Sequence, residues 1–383
     1  MKLISKFLNN YKIVILITLV WIVGLNLLAY FASKIIPMSG IISDRRFSTV
    51  DHWFWYDAGF YLGIATSGYH TLHDPAVWGN NFVRAAFFPA FPILGKIIFS
   101  ITKHLEIDIR TTLLMVNSLL TIGISIFLFK IAEIIRNKEY ALKTVIYFLI
   151  FPFSFFLICP YSEAILAFFT AGFFYYLIKK NYFVASLFAA GASASRFVGV
   201  IFPVILICYY LEENQWKIKK INPKIILISL IPFAGLFAYM FYQHLVFNDW
   251  LYFYKMQKVW RSHFDINIFS TVWHNFLEIF QHDIFNYRRF NEVGSIILFT
   301  ILGVITFFKI KKSFGIFIFL SIAIPLLTQS VDSFNRFVVP MIPAFLALGF
   351  ISKNKVLEFA YVFISILFLA LYTIMFTHSM WVA

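Results

Sequence analysis

The sequence predicts an all-α polytopic membrane protein with about eleven transmembrane helices and a long first loop outside the cytoplasm. Of its 383 residues, 61% are hydrophobic and only 13% are charged, and the mean hydropathy is +0.81. A soluble domain is roughly half apolar and a quarter charged, so much of this apolar surface must face lipid. Apolar runs recur along the chain, and lysine and arginine concentrate in alternate segments between them.

A transmembrane helix needs about 20 apolar residues, although a span inside a bundle can be shorter. The first run follows Lys2, Lys6 and Lys12 and is too long for a signal peptide, so we predict an uncleaved first helix. No loop divides residues 183–211, which could form either two short spans or one long helix. The predicted spans are residues 13–36, 111–133, 141–158, 161–178, 183–195, 197–211, 224–246, 293–309, 313–329, 336–351 and 355–377.

The distribution of basic residues predicts the orientation. With the N-terminus in the cytoplasm, the inner segments hold 18 of the 32 basic residues and five acids, whereas the outer segments hold 13 of each. Basic residues favour short cytoplasmic loops. Two passes within 183–211 keep the basic stretch 212–224 inside. An interfacial helix over 86–103, with Pro89 and Pro92 near its start, keeps the later loops on the predicted sides.

The whole chain, residues 1–383, is therefore predicted to be a single membrane domain. Its two long extracytoplasmic loops are residues 37–110, with interfacial helices, and residues 247–292. The net charge of +14 is explained by this topology, so we expect no nucleic-acid partner. The compact length indicates a bacterial or archaeal cell membrane.

Asp57 is the first candidate for chemistry, because it lies among aromatic residues just outside the predicted first span. Desolvation raises the pKa of a carboxylate in apolar surroundings, which suits a general base. Two glycines follow it and allow close approach of the chain. The alternative is that Asp57 only caps the helix that follows.

Glu163 and Arg196 place charges in otherwise apolar stretches. An ionised side chain at membrane depth is costly and indicates function, although Ser162 and Glu163 could instead form a helix cap. Arg196 requires a partner, and the candidates are Glu163, Asp57 or a bound phosphate, which the arginine fork suits. The alternative is an arginine that extends from a helix end to the interface.

Further polar residues gather at the predicted outer side. Arg336 begins the tenth predicted span, Arg84 precedes the interfacial helix and is expected to meet an anion or lipid headgroups, and Trp260 lies in the second outer loop. No histidine pair has helical i, i+4 spacing with an acid, so no metal is expected. Acids and arginines that converge at one membrane face predict a site for an anionic, lipid-linked substrate.

These motifs give the chain a resemblance to the PIG-V-like family of GT-C glycosyltransferases, the type that includes the second mannosyltransferase of GPI anchor synthesis. The resemblance extends from about residue 50 to about residue 345. The chain departs from the family at Tyr56, where tryptophan is usual, at Phe197 and Val198, and at Phe337, where tyrosine is favoured. The matching pieces are Tyr56-Asp57-Ala-Gly-Phe-Tyr61, Ile64-Ala65, Gly68-Tyr69, Phe87-Phe88-Pro89, Pro92, Pro160-Tyr161-Ser162-Glu163, Ser195-Arg196, Gly199, Arg336-Phe337 and Pro340.

The resemblance implies an inverting GT-C-like transferase that uses a polyprenyl-phosphate sugar, with mannose as the expected sugar. It needs no cofactor, and its expected partners are the lipid-linked donor, membrane lipids and a glycan, glycolipid or protein acceptor. Asp57 would act as the general base. The predicted catalytic residues are Asp57 and Glu163, and the predicted substrate-binding residues are Arg84, Tyr161, Arg196, Arg336, Tyr61 and Trp260.

The alternative function is a transporter or flippase of a lipid-linked saccharide, which would also need charged groups inside the membrane. Such transporters usually contain internal repeats with broken helices at matching positions, and none is evident in this sequence. An enzyme of the same fold that transfers a sugar other than mannose is equally compatible with the motifs.

Overall fold

The computed structural model describes residues 2–36, 50–70, 82–259, 267–280 and 286–382 of the chain. Within these ranges every regular element is helical. Parts of both predicted outer loops, including Trp260, lie outside the described residues.

Seventeen α-helices are described, and they are numbered here in chain order. They are α1 (Lys2–Ile35), α2 (Asp57–Ser67), α3 (Ala90–Thr102), α4 (Ile109–Ile135), α5 (Lys138–Leu149), α6 (Glu163–Ile178), α7 (Tyr182–Ser193), α8 (Phe202–Glu213), α9 (Pro223–Leu230), α10 (Phe233–Phe247), α11 (Tyr252–Gln257), α12 (Ile268–Glu278), α13 (Tyr287–Lys309), α14 (Lys312–Leu326), α15 (Phe334–Phe337), α16 (Ile342–Leu348) and α17 (Lys355–Thr377).

Five helical segments of the described chain are long and apolar enough to cross a bilayer, which makes this a multi-pass membrane protein. Four shorter apolar helices accompany them. The predicted number of eleven spans is therefore not confirmed. The five long segments are Tyr11–Ile35, Ile109–Ile135, Pro223–Phe247, Tyr287–Lys309 and Lys355–Thr377, and the shorter helices are Glu163–Ile178, Tyr182–Ser193, Lys312–Leu326 and Ile342–Ile351.

Three predicted spans are not continuous α-helices. The span predicted at 224–246 is divided between α9 and α10 near Pro232. The span predicted at 141–158 ends at Leu149, and turns follow around Pro152. The span predicted at 336–351 is divided between α15 and α16 near Pro340. Proline lacks the amide hydrogen of a helical bond and disfavours helical backbone at the residue before it, which accounts for the three breaks.

The stretch 183–211 forms two helices, as the charge distribution predicts. Helix α7 ends at Ser193 and α8 begins at Phe202, with Pro203 in its first turn. Arg196 between them has an extended backbone (φ −161°, ψ 154°) that interrupts the helical path. Another boundary differs from its prediction: α13 begins at Tyr287 rather than at residue 293.

The predicted interfacial segment 86–103 contains helix α3, which is too short to span a bilayer. One face of α3 is exposed at Ile93, Ile97 and Ile101, whereas Phe91 is fully buried. This two-sided pattern is typical of a helix that lies at an interface. Its position relative to the membrane remains a prediction.

Aromatic contacts join the three helices that form one wall of the cavity described below. The ring of Phe174 on α6 meets Phe314 and Phe317 on α14 at centroid distances of 4.6 Å and 5.0 Å. Phe173 meets Phe202, the first residue of α8, at 4.8 Å. Edge-to-face aromatic pairs stabilise packing beyond the area that they bury, so the rings fix the spacing of α6, α8 and α14.

Candidate active site

One cavity, with a volume of about 690 Å³, contains five of the eight sequence-predicted site residues. They come from distant parts of the chain: the start of α2, the start of α6, the turn between α7 and α8, and α15. The five residues are Asp57, Tyr61, Glu163, Arg196 and Arg336.

Four of these residues form a chain of alternating charge. Arg336 Nη1 donates to Asp57 Oδ2 at 2.6 Å, and Arg336 Nε lies 3.7 Å from Glu163 Oε1. Arg196 Nη1 donates to the same glutamate oxygen at 2.6 Å. The order along the cavity wall is therefore Asp57, Arg336, Glu163 and Arg196. Two acids balance two arginines, so burying the set leaves no net charge.

Asp57 is the first residue of α2, and its side chain is directed to Arg336 rather than to a capping bond. The preceding residue, Tyr56, has the unusual backbone angle φ 52°. Left-handed backbone is uncommon outside glycine and needs support from surrounding structure. The Tyr56 hydroxyl supplies such support by donating to the Ser379 carbonyl at 2.5 Å.

Glu163 begins α6 and is almost fully buried, with 1% of its surface exposed. The capping alternative for Ser162 does not apply, because its side chain makes no capping bond to α6. Its hydroxyl accepts instead from Tyr61 at 2.8 Å. Burial raises the pKa of the Tyr61 hydroxyl, so this tyrosine remains a neutral hydrogen-bond donor beside the acids.

Arg196 lies in the turn between α7 and α8, where its guanidinium is positioned by Glu163 and by the ring of Phe337 at 4.1 Å. The turn is tight: a β-carbon added at Gly199 would lie 2.3 Å from the Ser193 Cα. Glycine permits this close backbone approach. The Ala194 carbonyl accepts from the Ala90 amide at 3.1 Å and ties the turn to α3.

Arg84 and Tyr161 lie outside the cavity lining. Arg84 is buried behind α2, where its Nη1 lies 3.4 Å from the carbonyl oxygens of Gly63 and Gly68. A cation at the C-terminal end of a helix is favourable, so this contact stabilises the helix that carries Asp57. Tyr161 packs under the Arg336 guanidinium at 5.1 Å.

Arg288, Asp332 and Trp381 also line the cavity, and none of them was among the predicted site residues. Asp332 Oδ1 accepts from Arg289 Nη1 at 2.7 Å and also from Arg288. Burial alone would raise the pKa of Asp332, but the two arginines lower it overall. The sequence contained a signal for this group, because Glu292 closely follows Arg288 and Arg289 and directly precedes the predicted span 293–309.

Apolar side chains line the part of the cavity between α6, α8 and α14. They include Leu166, Phe202, Phe317 and Ile324. The cavity therefore combines an ionic wall with an apolar wall. Among the residues that the structure describes, no group of three or more His, Cys, Asp or Glu side chains is arranged to hold a metal ion.

No protein-family model and no curated protein matches the sequence. Three solved structures of oligosaccharyltransferase from Archaeoglobus fulgidus are among those that match this chain.

The complex with an inhibitory peptide and a dolichol-phosphate has a TM-score of 0.48 and 12% identity, covering 97% of this chain and 56% of that one. The complex with zinc and sulfate has a TM-score of 0.47 and 12% identity, covering 94% and 53%. The apo form has a TM-score of 0.45 and 13% identity, covering 95% and 56%. This chain thus spans about half the length of those proteins. Similarity at this level establishes neither the family nor the activity of the protein.

Proposed function

We propose that the protein is a GT-C-type membrane glycosyltransferase that moves a sugar from a polyprenyl-phosphate donor to an acceptor outside the cytoplasm. The observation that carries this proposal is the meeting of Asp57, Arg336, Glu163 and Arg196 on the wall of a cavity that also has an apolar side. A carboxylate, two arginines and apolar surface match the reacting hydroxyl, the phosphate and the lipid of such a reaction.

The donor phosphate is assigned to Arg196 and Arg336. A guanidinium has five N–H donors in a rigid fork that matches phosphate oxygens, and each acid that these arginines contact occupies only part of that fork. The apolar wall formed by α6, α8 and α14 would accommodate the first isoprene units. The sugar is proposed to be mannose on the strength of the family resemblance, and no cofactor takes part.

Asp57 is the proposed general base. It accepts the proton of the acceptor hydroxyl while the hydroxyl oxygen attacks the anomeric carbon of the donor. The bond between the anomeric carbon and the phosphate oxygen breaks, and polyprenyl phosphate leaves with the bonding electrons. Attack opposite the leaving group inverts the anomeric centre. Arg196 and Arg336 stabilise the charge that develops on the phosphate.

Asp57 is a better base than Glu163 because it is more accessible. The Asp57 side chain is 20% exposed, whereas that of Glu163 is 1% exposed. A base must reach the proton that it removes. Glu163 contacts both arginines, so its proposed part is to hold their guanidinium groups in position, and it is the second candidate for the base.

The test is sugar transfer in proteoliposomes with labelled polyprenyl-phosphate mannose. We expect Asp57→Asn to lower the rate by about 10²- to 10⁴-fold, the usual contribution of a general base, in protein that is still expressed and shows a cooperative thermal unfolding transition. Asp249→Asn is the matched control, since Asp249 pairs with Lys255 outside the cavity lining.

Wild-type transfer rates in Asp57→Asn would refute the assignment of the base and direct attention to Glu163. The flippase alternative makes a different prediction. If the wild type transfers no sugar from any polyprenyl-phosphate donor but moves the lipid between leaflets, the transferase proposal fails.

A further inference from the structure

A second polar group lies at the cavity, apart from the four charges assigned above. It consists of Arg288, Asp332 and Trp381, all of which line the cavity. The proposed transfer chemistry uses none of them, so their presence beside it needs an explanation.

The backbone directs Asp332 toward this group. Ser333, the next residue, has left-handed backbone (φ 67°), and its amide donates to Glu292 Oε1 at 3.1 Å. Asp332 then accepts from Arg288 and Arg289. The side chains of Asp332 and Arg288 keep 40% and 34% exposure, so the ion pair leaves both groups accessible.

Trp381 is held in place from two sides. Its carbonyl accepts from the Tyr287 hydroxyl at 3.2 Å, and its ring meets Tyr56 edge-on at a centroid distance of 4.5 Å. The Arg288 guanidinium lies 5.6 Å from the ring centre. Trp381 therefore contacts both Arg288 and Tyr56, the residue that precedes the proposed base, and it lines the same cavity as Asp57.

The described charges of this group speak against an anionic ligand. Among the described residues, Arg288 and Arg289 contribute two positive charges, and Asp332, Glu292 and Glu278 contribute three negative ones, one of which also contacts His274. The described residues of this group therefore offer no surplus positive charge to an anion. An accessible carboxylate accepts hydrogen bonds from hydroxyls, a guanidinium donates to them, and an aromatic ring packs against apolar ring faces.

We infer that Trp381, Asp332 and Arg288 form a saccharide-binding subsite that holds a neutral, polyhydroxylated ring beside Asp57. Asp332 accepts hydrogen bonds from sugar hydroxyls, Arg288 donates to them, and Trp381 packs against the ring. The identification of this sugar as the acceptor rests on the proposed function. The acceptor then presents a carbohydrate, rather than a peptide or a simple lipid, to the base.

Saccharide binding without turnover tests the inference separately from the transferase activity. Saturation-transfer NMR with methyl α-mannoside and a panel of other methyl glycosides is recorded on the full chain in detergent micelles. We expect the wild type and Asp57→Asn to bind at least one glycoside. Trp381→Ala should weaken that binding roughly fivefold or more, as expected for loss of an aromatic packing partner.

Asp332→Asn and Trp381→Phe are the conservative variants, and thermal unfolding shows whether each variant is folded. Trp250→Ala is the control, because Trp250 is an exposed tryptophan outside the cavity lining. We expect Asp332→Asn to weaken binding, Trp381→Phe to retain part of it, and Trp250→Ala to leave it unchanged.

The inference is overturned if no glycoside binds the wild type, or if folded Trp381→Ala and Asp332→Asn bind as the wild type does. It is also overturned if inorganic phosphate binds in place of glycosides and loses affinity in these variants. Binding that depends on Trp381 in a protein without transfer activity would refute the proposed function and leave the subsite standing. Active variants with an unchanged acceptor KM would refute the subsite and leave the function standing.

Discussion

Two regions of the bundle place a glutamate between two basic side chains, but in different surroundings. At the cavity, Glu163 lies between Arg196 and Arg336 and is almost fully buried, with 1% of its side chain accessible. A second group, here called the lysine-rich end, consists of Lys180, Glu213 and Lys311. In it, Glu213 lies between Lys180 at 2.8 Å and Lys311, and its side chain is 21% exposed.

The second group joins helix ends. Lys180 follows α6, Glu213 ends α8, and Lys311 precedes α14. Glu212 also accepts from the backbone amide of Lys312 at 2.8 Å, which satisfies a donor at the start of α14. These residues act as a structural clamp, whereas the ion pairs at the cavity line a space large enough for a ligand. The cavity and the arginine fork, rather than the presence of an ion pair, therefore distinguish the candidate site from the lysine-rich end.

The largest difference between the two regions is expected in the unfolding free energy lost when the glutamate is replaced. Glu163→Gln removes the carboxylate from two partly buried arginines, and breaking a buried ion pair costs about 3–5 kcal/mol. The unfolding free energy should fall by that amount in chemical unfolding followed in detergent. Glu213→Gln is the matched control and should cost at most about 1 kcal/mol. Equal losses at the two positions would remove the proposed distinction between the regions.

The next difference between the two regions is expected in the rate of sugar transfer. Under the proposed function, Arg336→Met should lower sugar transfer about 10²- to 10³-fold, the usual effect of losing one group that stabilises developing charge. Arg336→Lys should recover part of the rate, because lysine keeps the charge but not the fork. Lys311→Met at the other end should leave transfer within about twofold of wild type, since interaction energies of such ion pairs are small. Loss of transfer in Lys311→Met would contradict the comparison.

A glycine substitution tests how far the candidate site depends on the backbone of the turn that carries Arg196. Gly199→Ala forces a β-carbon against the Ser193 backbone and should cost about 1–3 kcal/mol of unfolding free energy, as overpacking usually does. The displaced turn carries Arg196, so transfer should fall as well. Gly294→Ala, where nothing lies within 4 Å of the added β-carbon, is the control. A fully stable and active Gly199→Ala would show that the turn does not depend on this close approach.

The smallest effect is a pH dependence at the lysine-rich end. Hydrogen bonds from Lys180 and Lys311 lower the pKa of Glu213 from its ordinary value of 4.5. A lowered pKa in the folded state stabilises the protein above the ordinary value, and this contribution disappears as the pH falls through the lowered value. Thermal unfolding of wild type and Glu213→Gln should therefore differ slightly above pH 4.5 and converge as the pH falls below 4.5 and through the lowered pKa of Glu213. A gap that widens on acidification would contradict the assignment of these ion pairs.

Much of the helical structure could be predicted from hydropathy. The predicted spans 111–133 and 355–377 lie within or coincide with Ile109–Ile135 and Lys355–Thr377, because an apolar run of this length has a single stable form in lipid. The charge distribution also predicted two helices within 183–211. The breaks after Leu149 and around Pro340 were missed, since hydropathy averages over a window and does not register a proline that ends a helix.

The sequence by itself determined that this is a membrane protein with isolated charges at Glu163 and Arg196, because charge in an apolar run is costly wherever it lies. It also marked Asp57 and Arg336 as unusual residues. Only the tertiary structure decided that Arg336 bonds to Asp57, residues that are 279 positions apart. It likewise decided that Arg84 supports α2 behind the cavity and that Trp381 lines the cavity. Which charges meet depends on how the helices pack, and hydropathy and charge along one chain do not specify that packing.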